Sequence, residues 1–283
     1  DQGGHLTHGA KVSFSGNLYN FLPYGVKQDS ETIDYDEIES LAMKHSPKLI
    51  VAGCSAYPRI LDFEKLGTIA KKANALLMID MAHISGLIAG GAHPSPAGYA
   101  DIITSTTQKT LRGPRGGLIL CTEDLAKKID YGVFPYSQGG PFMHVIAAKA
   151  VCFGEAMTPE FSIYARQVVE NAQTMSKELA ESGIRLISGG TDNHLILADV
   201  TTVGLTGQEP ESVLQSVGII ANKNSIPWDT KPARVTSGIR LGTAAITSRG
   251  FTSTETQEVS KLIISALTNK NDETLLSSVA QKV

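Results

Sequence analysis

The chain has 283 residues, of which 42% are hydrophobic and 19% are charged, and its net charge is -3 at pH 7. This length exceeds the usual single domain, and the composition is that of an ordinary globular protein, so we expect one large and one smaller domain. The dispersed basic residues and the slightly negative charge give no reason to expect nucleic acid or an anionic membrane as a partner.

The three cysteines, Cys54, Cys121 and Cys152, lie in apolar segments at spacings that match no zinc motif. We therefore expect reduced thiols and no metal site. No apolar run approaches 18 residues and no signal-peptide pattern is visible, which predicts a cytoplasmic location. Because the sequence opens with Asp1 rather than methionine, a removed segment that carried targeting information stays an alternative.

The first half of the sequence predicts helices and strands that alternate. Asp34 is a typical N-cap residue for a helix that Pro47 ends, and residues 86–98 form a loop rich in Gly and Pro. A glycine-rich loop that leads into short extended pieces is expected over residues 1–25. A further helix is expected over 62–73, and strands over 49–53, 75–79, 101–104 and 117–121.

The second half predicts a separate α/β unit. Thr158 and Pro159 form a cap and first helical turn, so a long amphipathic helix is expected to run from there to Ser182. We place a domain boundary here, with residues 1–157 as part of a large domain and residues 158–283 as a small C-terminal domain. The other predicted helices cover 123–131, 143–156, 208–217, 253–268 and 272–281, and the strands 184–187, 194–200, 219–222 and 237–242.

Lys109 lies in a polar turn between two predicted strands, after a run of four hydroxyl residues, Thr104 to Thr107, and Gln108. Such a turn can hold an amine against a carbonyl carbon, as a Schiff base requires, and Thr106 is the hydroxyl that we expect to assist it. The turn alone leaves open that Lys109 is an ordinary surface lysine.

A second observation supports a catalytic lysine. The apolar strand over 75–79 ends in Asp80, and a buried carboxylate needs a partner. A protonated pyridine nitrogen supplies one, and an imine-forming lysine with such an aspartate is typical of pyridoxal phosphate enzymes. Ser55, Asp80 and Lys109 all follow strand ends, so one edge of one sheet is expected to hold them.

Seven segments together resemble the serine hydroxymethyltransferase family, and the resemblance runs from Gln2 to about Ala266. It implies an aspartate-aminotransferase-like (fold-type I) α/β enzyme with a mostly parallel large-domain sheet flanked by helices. It also implies interconversion of serine and glycine with pyridoxal 5'-phosphate as cofactor and tetrahydrofolate as the one-carbon acceptor. The segments are Gly3–Gly9, Gly53–Arg59, Asp80–His83, Lys109–Gly117, Gln138–Pro141, Gly190–Asn193 and Ser237–Thr243.

The resemblance also implies roles around the cofactor. It makes Lys109 the Schiff-base residue and Asp80 the partner of the pyridine nitrogen. His5 is implied to stack on the ring and Ser55 to bind its phenolic oxygen, whereas His83 can reach the same ring or its phenolate. From the sequence alone, a loop or core role is an alternative for each of the two histidines.

Substrate roles follow in the same way. Arg240 lies between two apolar residues and needs an anion, either the α-carboxylate of an amino acid or an internal Asp or Glu. The resemblance implies that Gly4, Leu6 and Asn224 line the folate site.

Gly139 and Gly140 are implied to reach the cofactor phosphate of a neighbouring subunit. The expected partners are therefore small molecules (serine, glycine and folate) and a second copy of the chain, as a homodimer or a dimer of dimers with shared active sites.

Two departures and one absence qualify these expectations. Gln108 stands where the family usually has histidine, and Ala244 where proline is usual. Both departures bear on rate or substrate preference more than on reaction type, and Gln108 also leaves open a paralogue that binds without turnover. A threonine aldolase-like or α-methylserine-processing relative is the alternative enzyme. The family's N-terminal arm, phosphate cup and acid/base glutamate precede the first residue, so we expect this segment alone to bind cofactor poorly and to be inactive.

Overall fold

A computed structural model of the chain describes residues 2–283 and contains two four-stranded sheets. In the first sheet three parallel strands are followed by an antiparallel edge strand, whereas the second sheet is antiparallel throughout. The first sheet has the order β1 (Leu49–Ala52), β2 (Leu76–Asp80), β3 (Ile102–Thr106) and β4 (Gly117–Cys121). The second contains β5 (Arg185–Leu186), β6 (Leu195–Asp199), β7 (Asn222–Asn224) and β8 (Gly238–Gly242) in the order β5-β6-β8-β7.

Helices connect and cover these strands, and no helix among residues 2–283 is both long and apolar enough to cross a bilayer. The predicted caps are present: the Asp34 carboxylate accepts hydrogen bonds from two backbone N–H groups, and the Thr158 hydroxyl accepts one from Phe161. The helices are α1 (Phe14–Leu18), α2 (Tyr35–His45), α3 (Phe63–Lys72), α4 (Ser85–Ala89), α5 (Glu123–Tyr131), α6 (Met143–Ala156), α7 (Pro159–Glu181), α8 (Gln208–Ser216), α9 (Ala244–Ser248), α10 (Ser253–Thr268) and α11 (Glu273–Lys282).

The predicted α/β class is confirmed, and the elements differ from the sequence prediction in a few places. The short helices α1 and α4 lie where extended pieces and a loop were expected, and α9 was not predicted, because five residues are too few to show a helical period. The strand expected over 219–222 begins instead at Asn222. Its hydrogen bonds to β8 fix that position, and Ile220, inside the predicted range, is exposed.

Two hydrophobic cores meet on α7. The first lies around β1, β2 and α3 and includes Phe161 and Val168 from the start of α7, whereas the second begins at Ala172 and continues under the second sheet. Because one continuous helix serves both cores, the two sheets are held in one packing arrangement. The domain boundary between residues 157 and 158 stays a prediction.

Polar contacts also join the two halves directly. The Arg59 guanidinium, which follows β1, pairs with the Asp192 carboxylate at 2.9 Å. The Asn193 side chain donates to the Tyr57 carbonyl at 3.0 Å, and the Thr191 hydroxyl donates to that of Pro58. These contacts place the segment before β6 beside the loop that follows the carboxyl end of β1.

Gly86 permits the close contact that holds the Lys109 turn. A Cβ at this position would lie 2.1 Å from the Thr110 carbonyl oxygen, whereas Gly154 in α6 has open space around it. We predict that Gly86→Ala lowers the free energy of unfolding by about 1 to 3 kcal/mol. Gly154→Ala is expected to be neutral or stabilising by up to about 1 kcal/mol. Urea unfolding of both variants measures this, and equal midpoints would contradict the packing described.

Candidate active site

A cavity of about 200 Å³ lies at the carboxyl ends of the three parallel strands. It brings together Ser55, Asp80 and Lys109, which the sequence placed at one sheet edge. A larger surface depression near Gly204 and Lys270 contains none of the predicted site residues. The cavity is lined by His5, Thr7, His8, Cys54, Ser55, Asp80, Ala82, His83, Thr104, Ser105, Thr106 and Lys109.

The Lys109 amine is half-buried and forms no ion pair or hydrogen bond with the residues that the structure describes. Burial lowers its pKa, and so do the positive charges of Arg240 and Arg115, while the Asp80 carboxylate acts in the opposite direction. A lysine of lowered pKa has a larger fraction of neutral amine at neutral pH than a surface lysine, which is what a nucleophile requires.

Asp80 is held in its ionised form. Burial opposes ionisation of this carboxylate, but a hydrogen bond from His8 and one from the Ala82 backbone outweigh it, so the pKa of Asp80 is lowered. His8 Nε2–H donates to Oδ2 at 2.9 Å, and the Ala82 N–H donates to Oδ1 at 3.1 Å. Nothing local in the sequence signals this contact, because the two residues are 72 positions apart.

Three further side chains that line the cavity, those of His5, Thr106 and Ser55, can form hydrogen bonds with a ligand. The His5 side chain lines the cavity and is largely exposed. Its partial burial, followed by the charges of His8 and Lys109, lowers its pKa, so the ring is neutral at neutral pH. The Thr106 hydroxyl is buried and has no partner among the described residues. The Ser55 side chain lines the same space. A flat ligand with polar substituents would satisfy these groups.

Arg240 reaches the site from β8. Its Nη1 donates to the Ser55 carbonyl oxygen at 2.7 Å, and its guanidinium pairs with no carboxylate among residues 2–283. The internal Asp or Glu that the sequence left open is therefore not observed. The guanidinium has further donors, and burial in this position favours an incoming anion as their partner.

His83 lines the cavity and contacts a histidine that the sequence analysis did not single out. His83 Nδ1 and His194 Nε2 are 3.3 Å apart. Burial, followed by the charges of His194 and Lys109, lowers the pKa of His83 to about 2. The two residues are 111 positions apart, so no local pattern could have indicated the contact.

Gln108 points away from the cavity lining. Its side-chain oxygen accepts a hydrogen bond from the Gly116 N–H at 3.3 Å. The same turn is closed by the Gly113 N–H, which donates to the Thr107 carbonyl oxygen at 2.7 Å. Gln108 therefore braces the turn that carries Lys109.

The structure does not bring the remaining predicted residues to the cavity lining. Gly139 and Gly140 are exposed in the segment before α6, and Asn224 on β7 donates to the Ser225 carbonyl oxygen. Gly4 and Leu6 are exposed on either side of His5. Their roles stay predictions.

The cavity fits the reactive end of a pyridoxal group better than its phosphate. An amine of lowered pKa, an ionised carboxylate and an unpartnered hydroxyl, that of Thr106, suit an aldehyde, a pyridine nitrogen and a ring oxygen. None of the lining residues is an arginine, so the lining itself offers only hydroxyls, histidines and one lysine to a phosphate. The chemistry of the donors is that of a pyridoxal phosphate-dependent α/β enzyme.

Comparison with known families narrows this class. The family model described as serine hydroxymethyltransferase matches residues 1–263. The chain therefore belongs to the serine hydroxymethyltransferase family, whose members interconvert serine and glycine with pyridoxal 5'-phosphate as cofactor and tetrahydrofolate as one-carbon acceptor. The match confirms the family, reaction, cofactor and small-molecule partners that the sequence predicted, including the use of folate.

The hydrogen bond between the Gln108 side chain and the Gly116 N–H can be tested by hydrogen exchange at that amide. We predict that Gln108→Leu speeds hydrogen exchange of the Gly116 N–H by roughly two- to ten-fold, because the hydrogen bond that protects it is lost. Gln108→Glu keeps an acceptor oxygen and is the matched control. Exchange measured by NMR decides this, and unchanged protection in the leucine variant would remove Gln108 from the turn.

Proposed function

We propose that the cavity at the carboxyl ends of β1, β2 and β3 is where this chain carries out the reaction of its family. The observation that supports this most strongly is that the Lys109 amine and the Asp80 carboxylate line one cavity, and that the Arg240 guanidinium donates to the carbonyl oxygen of Ser55, which lines it too. Neither Lys109 nor Arg240 has an ionic partner among the described residues. Pyridoxal phosphate supplies the electron sink that stabilises negative charge at the substrate α-carbon.

Lys109 is proposed to hold the cofactor covalently through Nζ. Its lowered pKa provides the neutral amine that attacks a carbonyl carbon, and the nearby Asp80 carboxylate stabilises the ammonium form when Nζ takes up a proton. Nζ can therefore bind the cofactor, release it and carry a proton while the Lys109 turn stays in place.

Asp80 is proposed to keep a proton on a ring nitrogen placed against it. Its lowered pKa means that the carboxylate stays ionised while its partner nitrogen is protonated. A carboxylate has lone pairs beyond those used by His8 and Ala82, so a further donor can be accepted. The neutral His5 ring at the entrance is proposed to cover the flat face of the ligand.

Arg240 is proposed to bind the α-carboxylate of serine or glycine. One guanidinium nitrogen is already fixed on the Ser55 carbonyl, which holds the plane of the group, and the remaining N–H donors form a bidentate fork. A fixed fork orients the α-carbon relative to the cavity, and the burial of the guanidinium keeps competing water away.

The folate roles of Gly4, Leu6 and Asn224 are proposed from the family resemblance, and position supports them in part. Leu6 is 63% exposed and adjoins His5 at the entrance, so it offers apolar surface to a flat ring. Asn224 lies on β7, which pairs with the strand that carries Arg240. Gly4 adjoins His5 on the other side.

The second copy of the chain is proposed to complete the site. Gly139 and Gly140 have open space around them and do not line the cavity of their own chain, so a role at the phosphate requires a neighbouring subunit. The surrounding segment exposes large apolar side chains, which a dimer interface would cover. These side chains are Tyr131, Phe134, Tyr136, Phe142 and Met143.

A cytoplasmic location is proposed from the thiols. All three cysteines are free, and burial raises the pKa of Cys54 to about 12, so this thiol is unreactive. Free thiols suit a reducing compartment. Fractionation of the source cells tests the proposal, which recovery in an oxidising compartment would overturn.

The carboxylate role of Arg240 is testable by binding. We predict that Arg240→Ala weakens glycine binding by on the order of 2 to 5 kcal/mol, because the substrate carboxylate loses its desolvated partner. Arg234 is exposed outside the cavity, so Arg234→Ala is the matched control and should leave the affinity unchanged. Equilibrium titration of the cofactor-loaded protein measures both, and equal affinities in the two variants would exclude Arg240 from the site.

The shared site is testable by mixing two defective chains. We predict that, in chains extended upstream by the family's N-terminal arm, Lys109→Arg and Gly140→Asp are each inactive alone. When reassorted into dimers they should recover about a quarter of the serine cleavage of the unmutated extended chain, because half of the dimers are mixed and each contains one intact site. Lys109→Arg mixed with Asp80→Asn is the control and should recover nothing, since both defects lie in one cavity. Failure of the first mixture to recover activity would contradict a site built from two chains.

A further inference from the structure

His194 lies behind the cavity wall and contacts a residue that lines it. It is buried, with 8% of its surface exposed, and its Nε2 is 3.3 Å from His83 Nδ1. Its other ring nitrogen, Nδ1, is buried and has no partner among the described residues. His83 lines the cavity, and His194 does not. The contact therefore connects the cavity to a second imidazole inside the protein.

Both rings are neutral at neutral pH. Burial, with His194 and Lys109 as the next contributors, lowers the pKa of His83 to about 2. Burial followed by the charge of Arg240 lowers the pKa of His194 to about 3. Each ring then has one N–H and one bare nitrogen, and the 3.3 Å contact must have its proton on one side or the other.

The two possible arrangements leave different groups unsatisfied. If His83 Nδ1–H donated, the proton of His194 would sit on Nδ1, as a buried N–H donor with no acceptor. If His194 Nε2–H donates, Nδ1 is only a bare lone pair, and His83 carries its proton on Nε2. Orphaned buried N–H groups are rarer than under-used acceptors, which favours the second arrangement.

The surroundings of His93 also favour donation from His194 Nε2. Its Nδ1 is 2.9 Å from the Pro94 carbonyl oxygen, so Nδ1 donates and Nε2 is a bare acceptor, buried without a partner among the described residues. His93 is near enough to His194 to lower its pKa. No hydrogen bond joins His93 Nε2 to His194 Nδ1 among the described residues, so a proton on Nδ1 would have no acceptor there.

The backbones of both rings are fixed from different sheets. The Thr110 hydroxyl donates to the His83 carbonyl oxygen at 2.8 Å, next to Lys109. The Thr243 N–H, just after β8, donates to the His194 carbonyl oxygen at 3.0 Å. The second sheet therefore holds His194 in a fixed position beside His83. A residue that positions another side chain must itself be fixed in this way.

We propose that His194 is a positioning residue that donates from Nε2 to His83 Nδ1 and so fixes His83 in the tautomer that presents Nε2–H to the cavity. That hydrogen can meet an anionic ring oxygen of the ligand, and this part of the inference rests on the function proposed above. The ligand class that the donor selects is a flat ring with an ionised hydroxyl beside the carbonyl that Lys109 attacks.

The tautomer can be measured directly on the full chain without cofactor. Long-range ¹H–¹⁵N correlation NMR distinguishes protonated from bare ring nitrogens, and the His83 signals are assigned by their loss in His83→Asn. We expect His83 to be protonated on Nε2 in the wild type, and His194→Leu to lose this preference. His194→Gln keeps an N–H near the position of Nε2 and is expected to restore it.

Two further readouts separate positioning from folding and from the proposed function. His93→Gln alters a buried imidazole that does not contact His83, so it is the matched control and should leave the His83 tautomer unchanged. Titration with pyridoxal 5'-phosphate is expected to show roughly ten- to hundred-fold weaker binding in His194→Leu and near-native binding in His194→Gln.

Protonation of wild-type His83 on Nδ1, or an unchanged tautomer in a folded His194→Leu, would overturn the proposal. If His194→Leu does not fold, His194→Asn, whose amide is too short to reach His83, takes its place against His194→Gln. A fixed tautomer with the same affinity for pyridoxal 5'-phosphate in the wild type and in His194→Leu would refute the ligand class while leaving the positioning contact established.

Discussion

The parallel pairing of β1, β2 and β3 is the constraint on which the site depends. Register pairs Ala52 with Ile79 and Asp80 with Thr104, so the residues that follow these strands emerge at one edge. The edge closes tightly because Gly53 has a positive φ of 145°, and a Cβ there would lie 2.3 Å from the Asp80 carbonyl oxygen. A bulkier residue at this turn would move Ser55 away from Asp80.

Burial disfavours the charged form of the ionisable groups at this edge, and the hydrogen bonds and nearby charges determine which groups stay ionised. For Lys109, His5 and His83, burial lowers the pKa, so the imidazoles are neutral and the amine is less basic than usual. For Asp80, burial acts against the charge, but the hydrogen bond from His8 and the Ala82 N–H outweigh it. The site therefore sets one carboxylate charge beside an amine of lowered pKa, a distribution that suits imine chemistry on a pyridine ring.

How much of this could be predicted from the sequence depends on the distance over which a signal acts. Asp80 and Lys109 follow apolar strands directly, and Asp34 and Thr158 precede helical periods, so local patterns indicated them. The roles of Gly139 and Gly140 came from family resemblance alone.

The contacts of His8 with Asp80 and of His194 with His83 join residues 72 and 111 positions apart and depend on how the sheets pack. No periodicity or spacing encodes such contacts. The brace formed by Gln108 is of the same kind at shorter range, because it depends on the folded path of a glycine-rich turn.

The central claim is that Lys109 is the residue that holds the cofactor. Incubating the full chain with excess pyridoxal 5'-phosphate, reducing it with borohydride and mapping the modified peptide by mass spectrometry tests this most directly. The account predicts a single dominant adduct on Lys109, which Lys109→Arg abolishes while an exposed control, Lys44→Arg, leaves it unchanged. A dominant adduct on another lysine, such as Lys149 near the same turn, or adduct formation that persists in Lys109→Arg, would contradict the account.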